Sequence, residues 1–411
     1  MTATALQQEE HLPEAIVCKW CGKSFHYLKS HISMGRCENI PESAKGLDVD
    51  EVVKMYTTAF PDEPTISRTA LAKLNEKRAE KHSGEGKVAE ISADPGYAGT
   101  VEYKTELVAA HELLGVTLKE LGTPRGKPLQ VTVNVNTPYP EFVPEAKKNY
   151  VYGDFDLIKD IFMMLEIGIP GYLWGHAGTG KSSLPTQLCA LLNRPLIRAQ
   201  HTASMEEAHV TGQILARDGS TYFEPGLLAL AMKNGWVYLA DEYDFAFPQI
   251  LGVYQPVLEG EPLIIKEATP DWRRITPHKR FAFIGTGNTN GSGDETGLYQ
   301  GTNIQNAANF SRFGIVSNVK YMSTKAEVNM LAEAGVIREY AEKMVKFANL
   351  VREGYEQHLI SQPIGPRELL LSAKIGMMRG DFSAGIEKSF INKLPSTSAQ
   401  AAREVVQKIF G

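Results

Sequence analysis

The run Gly171-Tyr-Leu-Trp-Gly175-His176-Ala177-Gly178-Thr179-Gly180-Lys181-Ser182-Ser183 joins an apolar tetrapeptide to the pattern G-x-x-x-x-G-K-S, and no other stretch constrains the chain as tightly. Gly175, Gly178 and Gly180 permit backbone conformations that turn successive N–H groups inward around an anion. A helix beginning at Lys181 adds the positive end of its dipole. Lys181 then reaches the β- and γ-phosphates of a nucleoside triphosphate as a mobile charge, and the Ser182 hydroxyl is set to ligand the bridging Mg²⁺. The motif needs a strand before it and a helix after it, and the apolar residues 171–174 and 184–192 supply both. Residues 175–183 are therefore expected to bind ATP.

At 411 residues, with 43% hydrophobic and 22% charged residues, the chain can bury full cores in two or three domains. Lys+Arg 43 against Asp+Glu 48 leaves a net charge of −5, so no global basic field draws it to nucleic acid or an anionic membrane. Any such binding has to be local. The opening Met1-Thr-Ala-Thr-Ala-Leu-Gln-Gln-Glu-Glu lacks the basic start and apolar core of a secretory signal. The longest apolar stretch, residues 161–174, is interrupted by Glu166 and Pro170 and is too short to span a bilayer. These features lead us to expect a soluble cytoplasmic protein without membrane contact. Four cysteines in this length do not make a disulfide scaffold, and three of them fall together near the N-terminus.

Those three lie in Cys18-Lys-Trp-Cys21-Gly-Lys-Ser-Phe-His26-Tyr-Leu-Lys-Ser-His31, closed by Cys37. C-x-x-C offers two thiolates from one tight turn, and His31 with Cys37 from a following short helix completes a closed tetrahedral Zn²⁺ site. His26 is the rival third ligand. A module this small can hardly fold on its own core, so the metal supplies folding energy as well. The boundaries expected are a zinc-finger-like module over 15–80, a linker with a small accessory element over 81–140, an α/β core over 141–323 and a helical lid over 324–411. Residues 72–99 have linker composition, 102–121 show helical apolar spacing, and 129–135 alternate like a strand.

From residue 149 onward strands and helices alternate, with strands expected at 171–174, 195–199, 236–240, 281–285 and 315–319. That order means a parallel sheet covered on both faces. The third of these strands ends in Asp241-Glu242. Asp241 is expected to hold Mg²⁺ through water opposite Ser182. Glu242, turned elsewhere by strand alternation, can polarise the attacking water. Asn288 follows the next buried strand, where its carboxamide can orient that water; Thr286 is the weaker candidate for the same task. Arg312, just before the last strand, is placed to act as an arginine finger on a neighbouring subunit, and Arg367, at the start of a lid helix, to contact the phosphates in its own.

The zinc pattern, C-x-x-C-G-K-x-F-x-x-L-x-x-H, resembles small zinc fingers of bacterial and bacteriophage proteins, which bind DNA or protein. Gly175 to Ser182, Asp241-Glu242-Tyr243-Asp244, Gly287-Asn288-Thr289-Asn290-Gly291, Arg312 and above all Gly293-Asp294-Glu295-Thr296-Gly297-Leu298-Tyr299-Gln300-Gly301-Thr302 closely resemble the AAA+ ATPases of the MoxR group and, within it, the CobS family. The resemblance runs from about residue 143 to the C-terminus. It implies an AAA+ phosphate-loop sheet with a helical lid, a hexameric ring with ATP between subunits, and a partner carrying a von Willebrand A-type domain. For the chelatases of the family it also implies cobalt insertion. Ser311 stands where the family usually has Asp, and the zinc module is an addition to the chelatase pattern. CobS-like ATPases also occur in bacteriophage genomes.

Two excursions, 213–223 with its Asp218-Gly219 turn and 262–280 with Trp272-Arg273-Arg274, read as hairpins that can touch a partner. The function expected is Mg-dependent ATP hydrolysis that remodels a partner protein, with metal chelation as a special case. The alternative is a zinc-finger-targeted ATPase on nucleic acid, which should be DNA-stimulated and steeply salt-dependent. Residues 14–45 are too mildly basic to choose between them.

Overall fold

The computed structural model describes residues 13–33, 36–45, 48–61, 63–70, 101–217 and 219–411. The chain divides into two compact units, Met1–Tyr97 and Ala98–Gly411. The linker reading of 72–99 and the hairpin residue Asp218 lie outside the described residues.

In the first unit, β1 (Ile16–Val17) pairs antiparallel with β2 (Ser24–Phe25), and helices α1 (Leu28–Ser33) and α2 (Val49–Ala59) follow. The turn between the strands closes when Gly22, at φ 69°, donates its N–H to Cys18 O at 2.8 Å. Ile16, Phe25, Leu28, Ile32, Val52 and Tyr56 form the small core, and Cys18 and Cys37 are buried among them. The Tyr56 hydroxyl accepts from Lys19 N–H at 3.0 Å, which ties α2 to the cysteine turn.

The second unit opens with β3 (Thr105–Ala109) and β4 (Gln130–Asn134), antiparallel to one another. The helical reading of 102–121 is corrected here. Residues 105–109 spend their backbone groups on β4, and only two short helices, Ala110–Leu114 and Leu118–Leu121, remain. Gly115 in the left-handed region ends the first, and a Thr117/Glu120 capping box starts the second. Helix α3 (Phe155–Ile167) is capped by Asp154, which accepts from Leu157 N–H at 3.0 Å, and is stopped by Gly168 at φ 74°.

There follow β5 (Gly171–Trp174), α4 (Ser183–Leu191), β6 (Leu196–Gln200), the hairpin β7 (Gly212–Arg217) and β8 (Ser220–Pro225), α5 (Leu227–Asn234) and β9 (Val237–Asp241). A two-residue ladder, β10 (Leu263–Ile264) with β11 (Arg274–Ile275), precedes β12 (Ala282–Gly287) and β13 (Ile315–Asn318). Strands β5, β6, β9, β12 and β13 make one five-stranded sheet in the order β13-β5-β12-β9-β6, parallel throughout. Strand alternation feeds two cores: Val237 and Leu239 pack with α3 and α4, whereas Tyr238 and Ala240 pack with α5. Both faces are thus covered, as near-continuous apolar strands require. Ala110, Leu121 and Val131 join the α3/α4 core, so the β3/β4 element is packed on the sheet.

The chain ends in helices α6 (Thr324–Glu333), α7 (Arg338–Glu356), α8 (Pro366–Arg379), α9 (Phe382–Ser389) and α10 (Ser396–Phe410), which share a core of their own around Met344, Phe347, Val351 and Leu369. Arg352 crosses that layer to Glu327, fully buried, at 2.7 and 2.8 Å.

Candidate functional site

The glycine loop leaves β5 at Gly175, where a φ of 146° and the 2.4 Å that would separate a Cβ from Val319 O exclude a side chain. Gly178 and Gly180 also have positive φ, 81° and 103°. Lys181 folds back over this loop and donates to Gly175 O at 2.8 Å, His176 O at 2.9 Å and Asn288 Oδ1 at 3.1 Å. Burial pulls the Lys181 ammonium down to about 8, against the opposing pull of the Asp244 and Asp241 carboxylates. Thr179 Oγ1 donates to His176 O at 2.9 Å, and Ser183 Oγ lies 3.1 Å from the Tyr150 hydroxyl.

Asp241 ends β9 directly opposite. Its Oδ1 accepts from the Ser182 hydroxyl and from Thr286 Oγ1 at 2.5 Å; its Oδ2 accepts from Arg198 Nε at 2.7 Å and from the same guanidinium's Nη2. Burial disfavours the carboxylate, but the Ser182, Thr286 and Arg198 donors outweigh it and hold Asp241 below the usual range. A hydroxyl and a carboxylate in contact form an all-oxygen donor set suited to a hard cation such as Mg²⁺.

Glu242 departs from the expectation of strand alternation. The strand stops at Asp241, and Glu242 adopts the left-handed conformation at φ 54°, with its N–H donated to Thr286 Oγ1 at 3.3 Å. Its carboxylate accepts from Gln200 Nε2. Arg198 and Gln200 stand two apart on β6, so one strand face supplies a partner to each acid. Asn288 lies one residue beyond β12 on Lys181, and Thr286, within β12, on Asp241. Buried Asp244 accepts from Asn288 N–H at 2.8 Å, Thr289 N–H at 2.9 Å and Thr289 Oγ1 at 3.0 Å, and its burial raises the carboxyl.

The start of α8 lies on the loop: a Cβ at Gly178 would stand 3.4 Å from Arg367 Cβ, and one at Gly365 would stand 2.8 Å from Ala177 O. Arg367 is therefore beside the phosphate loop. Arg312 is elsewhere. Gly314 N–H donates to Pro170 O at 2.9 Å, and Ile315 pairs with Gly171, which sets Arg312 by the start of β5. The phosphate loop leaves the other end of that strand, four residues or about 13 Å away. Arg312 donates to Glu259 Oε1 at 2.7 Å and to Ala308 O, and Ser311 Oγ donates to the same carbonyl at 2.9 Å.

Sequence reading missed Arg198, Gln200, Asp244 and Tyr299. Arg198 carried a signal, since a charged residue inside an apolar strand needs a partner. Tyr299 sat within the Gly293–Thr302 run; its hydroxyl accepts from Ala177 N–H at 3.1 Å and lies 2.9 Å from His176 Nδ1.

In the first unit Cys18, Cys21, His31 and Cys37 offer ligand atoms all within 4.8 Å of one another. The Cys18 and Cys37 sulfurs are 3.8 Å apart, and Cys21 Sγ is 3.3 Å from His31 Nε2. A zinc tetrahedron with Zn–S of 2.3 Å has S···S edges of about 3.8 Å, so the four residues fit that ion. His26 is turned away, with Nδ1 3.0 Å from Ser67 Oγ. Among the described residues no helix is long and apolar enough to cross a membrane.

A family model for the AAA domain (dynein-related subfamily) matches residues 172–302. The aerobic cobaltochelatase subunit CobS of a Sinorhizobium species is 32% identical over 249 residues, which span 58% of this chain and 74% of the relative. An uncharacterized protein of Staphylococcus aureus strain NCTC 8325 is 23% identical over 265 residues, 62% of this chain and 96% of its own length. Among solved structures, the RuvB Holliday junction branch migration motor of Thermotoga maritima overlaps 65% of this chain and 72% of its own at a TM-score of 0.38 and 13% identity.

Proposed function

The chain belongs to the CobS family of AAA+ ATPases, and on that premise we propose that it hydrolyses Mg·ATP between the subunits of a homo-hexameric ring to remodel a partner protein in the cytoplasm. The domain division at 80, 140 and 323 goes with this reading: module, linker with accessory element, ATPase core and lid.

In this mechanism the amides of Gly178 to Ser183 and the Lys181 ammonium hold the phosphates. Ser182 and Asp241 would hold Mg²⁺, which would supply neutralisation of the phosphates' negative charge. Arg198 keeps the far oxygen of Asp241 occupied, so the carboxylate presents its other oxygen to Ser182. Glu242 takes the proton of the attacking water once it leaves Gln200, and Asn288 orients that water. Arg367 contacts the phosphates from the same subunit.

One observation supports the ring reading: Arg312 lies by the start of β5, at the far end of that strand from the phosphate loop, and on that ground we assign it to a neighbour's nucleotide. An arginine finger is worth roughly 10³-fold or more in rate, so Arg312→Ala should bind ATP yet turn over at least that much more slowly. Mixed with Lys181→Ala subunits it should regain partial activity, because some interfaces then pair an intact loop with an intact finger. Absence of recovery in verified mixed rings would sink the reading.

The family likeness supports a partner with a von Willebrand A-type domain, and the relative's place in aerobic cobaltochelatase makes metal insertion the special case of such remodelling. The zinc-bearing module acts as the targeting element. In it Lys19 pairs with Glu63 at 2.7 Å, Lys45 with Glu42 at 2.8 Å, and Lys23 with Glu38. These pairings cancel much of the module's basic charge and favour a protein target over nucleic acid.

A further inference from the structure

The Gly293–Thr302 run is the most distinctive sequence of the second unit, and none of the nucleotide chemistry above uses it. Its folding is organised by one carboxylate. Asp294 Oδ1 accepts from Thr296 N–H at 3.0 Å and Thr296 Oγ1 at 2.8 Å, and its Oδ2 accepts from Tyr299 N–H at 2.7 Å. Gly293, Gly297 and Gly301 supply positive φ at 83°, 73° and 98°, turns that a side chain would oppose. Asn303 anchors the far end through its N–H on Asp244 O at 2.7 Å. The result is a closed loop that presents one side chain, Tyr299, to the phosphate loop, where its hydroxyl meets Ala177 N–H and His176 Nδ1.

His176 meets the lid side as well. Its ring is parallel to Tyr321, 5.8 Å away at an interplanar angle of 3°, and edge-on to Tyr355 of α7 at 5.8 Å and 88°. The Arg352 guanidinium lies 4.0 Å over the other partner, Tyr321, and donates to Ile364 O at 3.0 Å, two residues before α8. One imidazole in the phosphate loop is therefore packed by Tyr299 from the 293–302 loop, by Tyr321 just before the lid and by Tyr355 within it.

We propose that Tyr299 is a positioning residue for ATP binding, acting through His176: its hydroxyl accepts from Ala177 N–H, donates to the Nε2-protonated His176 ring, and so fixes the first limb of the phosphate loop against the lid. This rests on the reading of residues 175–183 as the ATP site. Preorganisation is its physical content, since a loop whose N–H groups already point inward loses less freedom when the anion arrives. Without the hydroxyl, Ala177 N–H and His176 Nδ1 both lose their partner, and the limb between Gly175 and Gly178 is free to reorient.

The test is a double-mutant cycle on the full chain, with ATP affinity measured by calorimetry and turnover measured separately. Tyr299→Phe, which keeps the ring and removes the hydroxyl, should weaken ATP binding about tenfold while kcat at saturation changes much less. His176→Ala should weaken it by a similar factor, and the double variant should be no worse than either single one. Unchanged or tighter binding in Tyr299→Phe, or fully additive losses, would overturn the proposal. Nitrogen NMR of the wild-type His176 ring gives a readout independent of variant folding: an Nδ1 that accepts supports the clamp, and an Nδ1 that carries the proton overturns it. Lys181→Ala separates the two levels, because ATP binding that survives that change removes the site itself, whatever Tyr299→Phe does.

Discussion

In the first unit Cys18 and Cys37 are themselves core residues, packed with Ile16, Phe25, Leu28, Ile32 and Tyr56. The cores of the second unit are built from the likes of Tyr238, Leu239, Phe283 and Leu188, while the candidate site residues Lys181, in the phosphate loop, Asp241, at the end of β9, and Glu242, just beyond it, are not part of them. One unit thus places two of its four candidate ligand residues inside its hydrophobic core, and the other keeps its core and its candidate site on separate residues. The difference follows from size. Five strands and covering helices bury enough apolar surface to stand alone, whereas the two-residue strands and short helices among the described residues of the first unit do not. Loss of ligand atoms should therefore unfold the first unit, and loss of catalytic atoms should leave the second folded.

The largest effects should come from the second unit's site. Lys181→Ala should abolish ATP binding, and Glu242→Gln should bind ATP while losing about 10²–10⁴-fold in turnover, with unchanged melting in both. Equal ATP affinity in wild type and Lys181→Ala would refute the site, and early melting of either variant would break the separation of fold from chemistry.

Zinc removal comes next. Elemental analysis should find a single Zn²⁺ per chain in protein prepared without chelator, and stripping it or introducing Cys18→Ser should unfold residues 15–45. ATP turnover should stay within about twofold, because none of the four cluster residues belongs to the ATP site. Metal-free protein with a protected first unit by hydrogen exchange would contradict the comparison. Metal retained in His31→Ala but lost in His26→Ala would change only the ligand.

A smaller effect probes the second unit's fold. His278 Nδ1 accepts from Arg280 N–H at 3.1 Å while its other nitrogen lies 3.1 Å from Val101 O, and burial pulls its pKa down to about 4. The folded state therefore resists a proton that the unfolded chain takes up at about 6.5. The stabilisation is present above that value and is lost as pH falls from there toward 4. His278→Gln should flatten this part of the stability-versus-pH profile without shifting turnover at neutral pH; an acid limb identical to wild type would show that His278 does not carry it.

The sequence by itself determined the phosphate loop, the strands that flank it, the Asp241-Glu242 pair and the cysteine cluster. These are legible because each is written in contiguous residues: a nest of amides needs three glycines within six positions, and a C-x-x-C turn needs nothing outside itself. The tertiary structure alone decided the rest. Thr105 to Ala109 is a strand because β4, twenty residues on, takes its hydrogen bonds. Arg198 finds Asp241 because the sheet order sets β6 beside β9. Glu242 leaves the strand because Gln200 and Thr286 hold it from neighbouring strands. Tyr299 reaches His176 across 123 residues only through a loop folded on Asp294. Local backbone chemistry can be read from a run of residues, but a hydrogen bond between distant side chains exists only once packing has brought donor and acceptor together.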